Sequence, residues 1–200
     1  MTCKTLIIDN FDSFTYNLVQ YMGEVCETEP DVMLNTAVMD RIDLKRYDCV
    51  IISPGPGNPN NSADVGISAE VIRRAKVPVF GVCLGHQCMA QIYGMEVVHA
   101  DMPVHGRIHI IQYDGKGVFK GVSNDLSVVR YHSLVVKEVK DPFVLTAWDS
   151  NHMVHGIRHK ILPLYGVQFH PESVSTQEGK SLFRNFRDIA LAYRSNNGGR

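Results

Sequence analysis

Pro78-Val79-Phe80-Gly81-Val82-Cys83-Leu84-Gly85-His86-Gln87 is the stretch on which the fold turns. Its first half, Pro78–Val82, is a short apolar run opened by a proline, the pattern of a buried strand. From Leu84 to Tyr93 the spacing of apolar residues is helical, and Gly94 closes the run. A cysteine therefore sits where a strand turns into a helix, with glycines two positions before and two after it. Small–x–nucleophile–x–small at such a turn is the nucleophile-elbow pattern, with Cys in place of Ser. The glycines let strand and helix approach each other and let the central residue take a strained, outward-pointing conformation. Free N–H groups and the helix dipole at a helix N-terminus favour the thiolate, the nucleophilic form. A buried cysteine in a glycine-rich packing turn fits the same five residues, so Cys83 needs partners before it counts as chemistry.

Outward from this turn, strands and helices alternate. Thr5–Asp9, Val32–Asn35 and Cys49–Ser53 read as strands; Ser13–Met22 and Val65–Arg74 read as helices. Alternation at this spacing predicts parallel strands joined by crossover helices. After Gly94 the pattern changes to short, turn-separated strands: Arg107–Tyr113, Leu126–Tyr131, Val135–Val139, Val144–Trp148, Val154–His159 and Leu164–Phe169. A last helix is expected from Gln177 to Tyr193, and the polar Arg194–Arg200 stretch reads as a frayed end or the start of a linker. The expected architecture is α/β: an open, mostly parallel sheet flanked by helices, with an antiparallel extension. One domain would cover 1–194, with 195–200 as its tail.

The composition fits a globular domain. Of 200 residues, 44% are hydrophobic and 20% charged, which excludes a disordered or fibrous chain. Twenty Lys and Arg against 21 Asp and Glu leave a net charge of −1, an argument against nucleic acid or a membrane surface as the main partner. The opening MTCKTLIIDNFDSF lacks the basic and long apolar regions of a signal peptide, and no apolar run approaches the ~20 residues of a membrane span. Five cysteines, Cys3, Cys26, Cys49, Cys83 and Cys88, make an odd number without a pairing pattern. The expectation is a cytoplasmic or organelle-stromal protein with reduced thiols.

Partners for Cys83 are present. Phe169-His170-Pro171-Glu172 follows the strand Leu164–Phe169, and Pro171 disfavours helix at His170. In an extended segment, residues two apart face the same way, so His170 and Glu172 would project together. Glu172 could then hold the imidazole as the acid of a nucleophile–His–acid triad. Ser53-Pro54-Gly55-Pro56-Gly57-Asn58-Pro59 follows another strand, where ligands of parallel sheets bind. Its three prolines stiffen it and leave Gly55, Gly57 and Asn58 as backbone donors, which suits an oxyanion hole. No Gly-Lys-Ser/Thr follows, so it is not a phosphate-binding loop.

Together with Asp9-Asn10-Phe11-Asp12-Ser13-Phe14, Tyr131-His132-Ser133-Leu134 and Gly166-Val167-Gln168-Phe169-His170-Pro171-Glu172-Ser173, these motifs resemble class I, triad-type glutamine amidotransferases. The likeness runs from Thr5 to about Arg187. The opening and the His-Pro-Glu-Ser ending are similar to the glutaminase subunits of anthranilate synthase and aminodeoxychorismate synthase. The resemblance implies Cys83 as nucleophile with His170 and Glu172. It implies an oxyanion hole from the N–H groups of Gly57 and Leu84, and glutamine contacts from Gly55, Pro56, Gln87, Ser133 and Leu134. It also implies a partner: a chorismate-binding synthase, separate or fused, that receives ammonia, with magnesium in the synthase and no cofactor in this chain. A stand-alone γ-glutamyl hydrolase is the rival enzyme reading. The sequence departs from the family pattern at His105-Gly106-Arg107, where Lys and then Thr or Ser would follow the glycine.

His105 with His109, and His155 with His159, show i,i+4 spacing, which on a helix suits a metal. Both pairs fall in strand-like segments, where four residues span about 13 Å, so no metal site is expected. Cys49, Cys88, Met89 and Tyr93 are read as packing residues.

Overall fold

The computed structural model of the chain describes residues 2–123 and 126–198, with side chains outside 101–107. Short runs rich in Ile and Val build the first strands: β1 (Thr5–Asp9), β2 (Asp31–Leu34), β3 (Cys49–Ile52) and β4 (Val79–Val82). Between them lie α1 (Thr15–Cys26), α2 (Ser62–Val65) and α3 (Ser68–Arg74). The second half adds α4 (Leu84–Ile92), β5 (Val97–Tyr113), β6 (Leu126–Val136), β7 (Phe143–Trp148), β8 (Val154–His159), β9 (Leu164–Val167) and α5 (Gly179–Asn196).

These strands form one sheet in the order β2-β1-β3-β4-β9-β8-β7-β5-β6. The first five in that order pair in parallel, and β8, β7, β5 and β6 continue the sheet antiparallel. Alternate strand residues feed two cores. Ile7, Ile51, Phe80 and Val82 pack under α1 and α5, with Leu18, Met22, Phe183 and Phe186. Leu6, Ile8, Val50, Ile52 and Val79 pack under α3 and α4, with Val71, Ile72 and Met89. Helices on both faces of a parallel core sheet are what the strand–helix alternation predicts. Chain order reverses around β1, so loops after β1 and β3 meet at the carboxyl edge of the sheet, the ordinary place for a ligand.

Several boundaries differ from the sequence reading; α1 runs four residues past Met22, and β9 ends at Val167. The Val65–Arg74 helix is two helices, because Gly66 turns with φ +47° against the Asn35 carbonyl; a Cβ there would lie 2.1 Å from that oxygen. The separate strands Leu126–Tyr131 and Val135–Val139 are one strand, β6, held in a long hairpin by β5, which starts ten residues earlier than Arg107. Periodicity missed this because the β5–β6 register shifts between His99 and Val104 and again between His105 and Arg107. Helix α5 runs to Asn196, so the polar Arg194–Asn196 stretch is its last turn. No helix among the described residues is long and apolar enough to cross a membrane.

Candidate active site

Cys83 links β4 to α4 with φ +49° and ψ −100°, a strained backbone for a residue with a side chain. Its flanking glycines are steric necessities. A Cβ on Gly81 would lie 2.6 Å from the Gly85 carbonyl, and one on Gly85 would lie 2.4 Å from the Ile52 carbonyl of β3. The elbow therefore forms only with hydrogen at both positions. Cys83 is 6% exposed and opens into a cleft of about 350 Å³ rather than onto the outer surface. The same cleft takes in Phe11–Phe14 after β1, Pro54–Pro56 after β3, Tyr131 of β6 and His170 after β9.

His170 and Glu172 are buried, and the imidazole Nδ1–H donates to the Glu172 Oε1 at 2.6 Å. They do project together, but not from an extended segment. The Ser173 N–H bonds the His170 carbonyl, closing a tight turn that Pro171 fits by its fixed φ. The turn is fastened to β6: the His170 N–H donates to the Val129 carbonyl at 3.2 Å, and Thr176 Oγ1 donates to the His170 carbonyl at 2.6 Å. Burial disfavours the imidazolium. The Cys83 sulfur and the Glu172 carboxylate outweigh that loss and raise His170 to about 11.

The donor loop is locked by a buried polar network. The Asn10 N–H donates to Ser53 Oγ, and Asn10 Nδ2 donates to the Ser53 carbonyl. Asn10 Oδ1 accepts from Asn35 Nδ2 and Ser68 Oγ. Gly55 lies where the loops after β1 and β3 meet α4; a Cβ there would be 2.7 Å from Asn10 and 2.8 Å from Leu84. Asn58 drops out of the donor set, because its N–H already donates to Asp64 Oδ2 at 2.9 Å. Gly57 sits against the Asp64 side chain with no room for a Cβ. Leu84 opens α4, whose first N–H groups have no acceptor within the helix.

Gln87 is buried, and its Nε2 donates to the Leu134 carbonyl at 2.8 Å and to Gln168 Oε1 at 3.1 Å. Gln168 Nε2 in turn donates to the Cys83 sulfur at 3.8 Å. The expected substrate residues Gln87 and Leu134 thus lie together behind the nucleophile, with the exposed Ser133 beside them on β6. A sulfur at a helix N-terminus, an imidazole held by a carboxylate and a stiff loop make a site for acyl transfer through a thioester.

Residues 6–189 match the family described as glutamine amidotransferase class-I. The chain belongs to the class-I glutamine amidotransferases. An aminodeoxychorismate synthase of Streptomyces griseus is 46% identical to this amidotransferase over 98% of the chain, which spans only 28% of that protein. The aminodeoxychorismate/anthranilate synthase component 2 of Bacillus subtilis is 47% identical over 90% of the chain and 94% of its own length. Among solved structures, a putative GMP synthase component from Thermoplasma acidophilum superposes with a TM-score of 0.89 at 28% identity, covering 98% of each chain. A Thermotoga maritima glutamine amidotransferase at 13% identity and a TM-score of 0.77 shares the fold.

The amidotransferase site also contains residues that motif reading left without roles. Phe14 stacks on Tyr131 with centroids 5.8 Å apart, and both rings meet His170 edge-on, at 5.8 and 5.5 Å. Gln168, Asn10 and Val129 act through contacts made only on folding. The spaced histidines have separate tasks. His155 faces Asp149 at 3.5 Å, and His159 Nδ1 accepts from the N–H groups of Ile161 and Leu162. The side chains of His105 and Arg107 lie outside the described residues, so the departure from the family pattern there has no structural account. Cys49 and Cys88 are core residues, and burial pushes the Cys88 thiol up to about 12.

Proposed function

We propose that this chain is the glutaminase component of a chorismate-utilising synthase that makes anthranilate, with 4-amino-4-deoxychorismate as the alternative product. The observation that carries the glutaminase reading is the strained Cys83 elbow sharing one cleft with His170, whose imidazole is held by the buried Glu172. The names of the Streptomyces griseus and Bacillus subtilis relatives support the synthase, and the second carries both products in its name.

The Cys83 thiolate bonds to the side-chain amide carbon of L-glutamine, and the carbonyl electron pair moves onto oxygen. The N–H groups of Gly57 and Leu84 donate to that oxyanion. Collapse expels the nitrogen, which takes the proton of the His170 imidazolium and leaves as ammonia, with a thioester behind. Water then attacks the thioester and gives its proton to His170; the C–S bond breaks, releasing glutamate and restoring the thiolate. Glu172 orients the imidazole and stabilises its cation throughout. Gly55, Pro56, Gln87, Ser133 and Leu134 bind glutamine. Ammonia that reached water would become ammonium, which is no nucleophile, so the synthase receives it directly. This chain needs no cofactor or metal for these steps; magnesium belongs to the synthase. Nucleic acid and membranes have no part in the reading.

Cys83→Ala, assayed with the synthase, should abolish glutamine-dependent amination and spare amination from ammonium salts. Equal loss with both nitrogen sources would overturn the assignment. Fluorescence of the product separates anthranilate from its aminodeoxychorismate alternative.

A further inference from the structure

Tyr131 faces the catalytic cleft, and its neighbours Arg130 and His132 project from the opposite face of β6. Arg130 also borders a second cavity, of about 540 Å³. Its lining brings the polar Arg130, Asp149 and Asn151 together with the apolar Val98, Ala100 and Val135, and Lys137 stands at it as a second cation. Arg130 is 2% exposed, and its guanidinium is poorly matched by its surroundings. Its Nε donates to His132 Nε2 at 3.0 Å. One terminal nitrogen has only distant partners: His109 Nδ1 at 3.5 Å, and Asp149 Oδ2 at 3.5 Å, which is shared with His155. The other terminal nitrogen donates to the thioether sulfur of Met153, a weak acceptor, at 2.8 Å. Asp149 Oδ1 is turned away and accepts from the N–H groups of Asn151 and Met153. A buried guanidinium gains most from a bidentate oxygen acceptor, which nothing among the described residues supplies.

We infer that this cavity is a binding site for a small carboxylate with a hydrocarbon body, its oxygens on the terminal nitrogens of Arg130 and its apolar part against Val98, Ala100 and Val135. The carboxylate replaces a thioether sulfur as acceptor. The apolar lining selects for a ring or alkyl group over a bare anion such as phosphate. The site is separate from the cleft and stands whether or not the glutaminase reading holds.

The test uses the full chain with Cys83 blocked by a glutamine-derived diazoketone, so that the cleft is closed to ligand. Benzoate and acetate are titrated by calorimetry, with amide shifts of Asn151 and Met153 followed by NMR. Benzoate should bind saturably and at least about tenfold tighter than acetate, moving those two amides. Arg130→Met should weaken benzoate by about tenfold or more; replacing a buried charge by an apolar side chain is commonly tolerated by the fold. Ala100→Leu, which fills the cavity and keeps the guanidinium, should weaken it comparably. Absence of saturable benzoate binding, or binding unchanged in both variants, overturns the proposal.

Discussion

His170 stands between two opposing effects. Burial alone would strip its proton, yet a sulfur on one side and a carboxylate on the other keep it charged through neutral pH. On the proposed glutaminase reading, that proton is the one handed to the leaving ammonia. In the proposed triad Glu172 acts by orientation and charge, and the turn that fastens His170 to Val129 and Thr176 holds the ring's backbone without it. Glu172→Gln should thus lower glutaminase turnover by roughly 10–10³-fold, against near-complete loss for His170→Ala. Turnover of both variants with the synthase present, alongside thermal melts, checks this; equal losses in two folded variants would make the acid as essential as the base. His86 shows the opposite balance. It is wholly buried on α4 against Gly166, and burial, helped by the neighbouring His155, lowers it to about 3. Its folded value lies below the unfolded one, so its contribution to stability is full above about pH 6.5 and is lost as pH falls toward 3. Acid unfolding of His86→Leu, followed by circular dichroism, should show a shallower fall over that window than the unaltered chain. Parallel curves would remove His86 from the account.

At the scale of elements, the elbow is a contact between α4 and β3 as much as a turn. Gly→Ala inside a helix ordinarily stabilises by about 1 kcal/mol. At Gly85 the sign reverses, because the new Cβ would sit 2.4 Å from a strand carbonyl that has no freedom to move. Gly85→Ala should cost on the order of 2–4 kcal/mol in urea melts and abolish Cys83 labelling by forcing α4 away from the sheet. Gly94→Ala makes the control. That glycine has φ +78° and open space around it, so only backbone strain of about 1 kcal/mol is expected, with labelling intact. The β5–β6 hairpin works in the same way on the other side of the cleft. It supplies the carbonyl that anchors His170 and the Tyr131 ring that packs on it, although β6 lies at the far edge of the sheet order.

For the whole molecule, the mouth of the cleft matters most. Phe11 is 57% exposed and Tyr131 40%, both lining the opening, and Val174 stands out beyond the His170 turn. A glutaminase that works alone gains nothing from apolar rings at its mouth, whereas one that hands on ammonia can cover them with its partner. If the synthase proposal holds, glutamine hydrolysis should rise at least about tenfold when the synthase and its substrate are added, as in enzymes whose active-site loops close only on assembly. An ammonia-scavenging enzyme in the assay should then intercept little of the nitrogen. Full interception at unchanged product yield would show that ammonia travels through solvent.

What local residue order determined here is what local physics controls. Cys83 between two glycines, His170 two residues from Glu172, and the proline-stiffened loop at Gly55–Gly57 are each set within a few neighbouring residues. Short apolar runs alternating with helical spacing were enough to specify a parallel sheet and to put those three pieces at strand ends. Tertiary structure decided the contacts between residues remote in the chain. Gln168 reaches Cys83 across 85 positions, Asn10 reaches Ser53 across 43 and Ser68 across 58, and none leaves a periodic trace. Even the His170–Glu172 pairing, legible in its spacing, arises from a turn rather than an extended strand, since the bond from Ser173 N–H and the grip of β6 outweigh the local extended preference before proline. The buried Arg130 belongs to the same class. Alternation along β6 puts it opposite Tyr131, but only the packed hairpin and the turn at Asp149–Met153 decide that its guanidinium ends in a cavity beside a thioether.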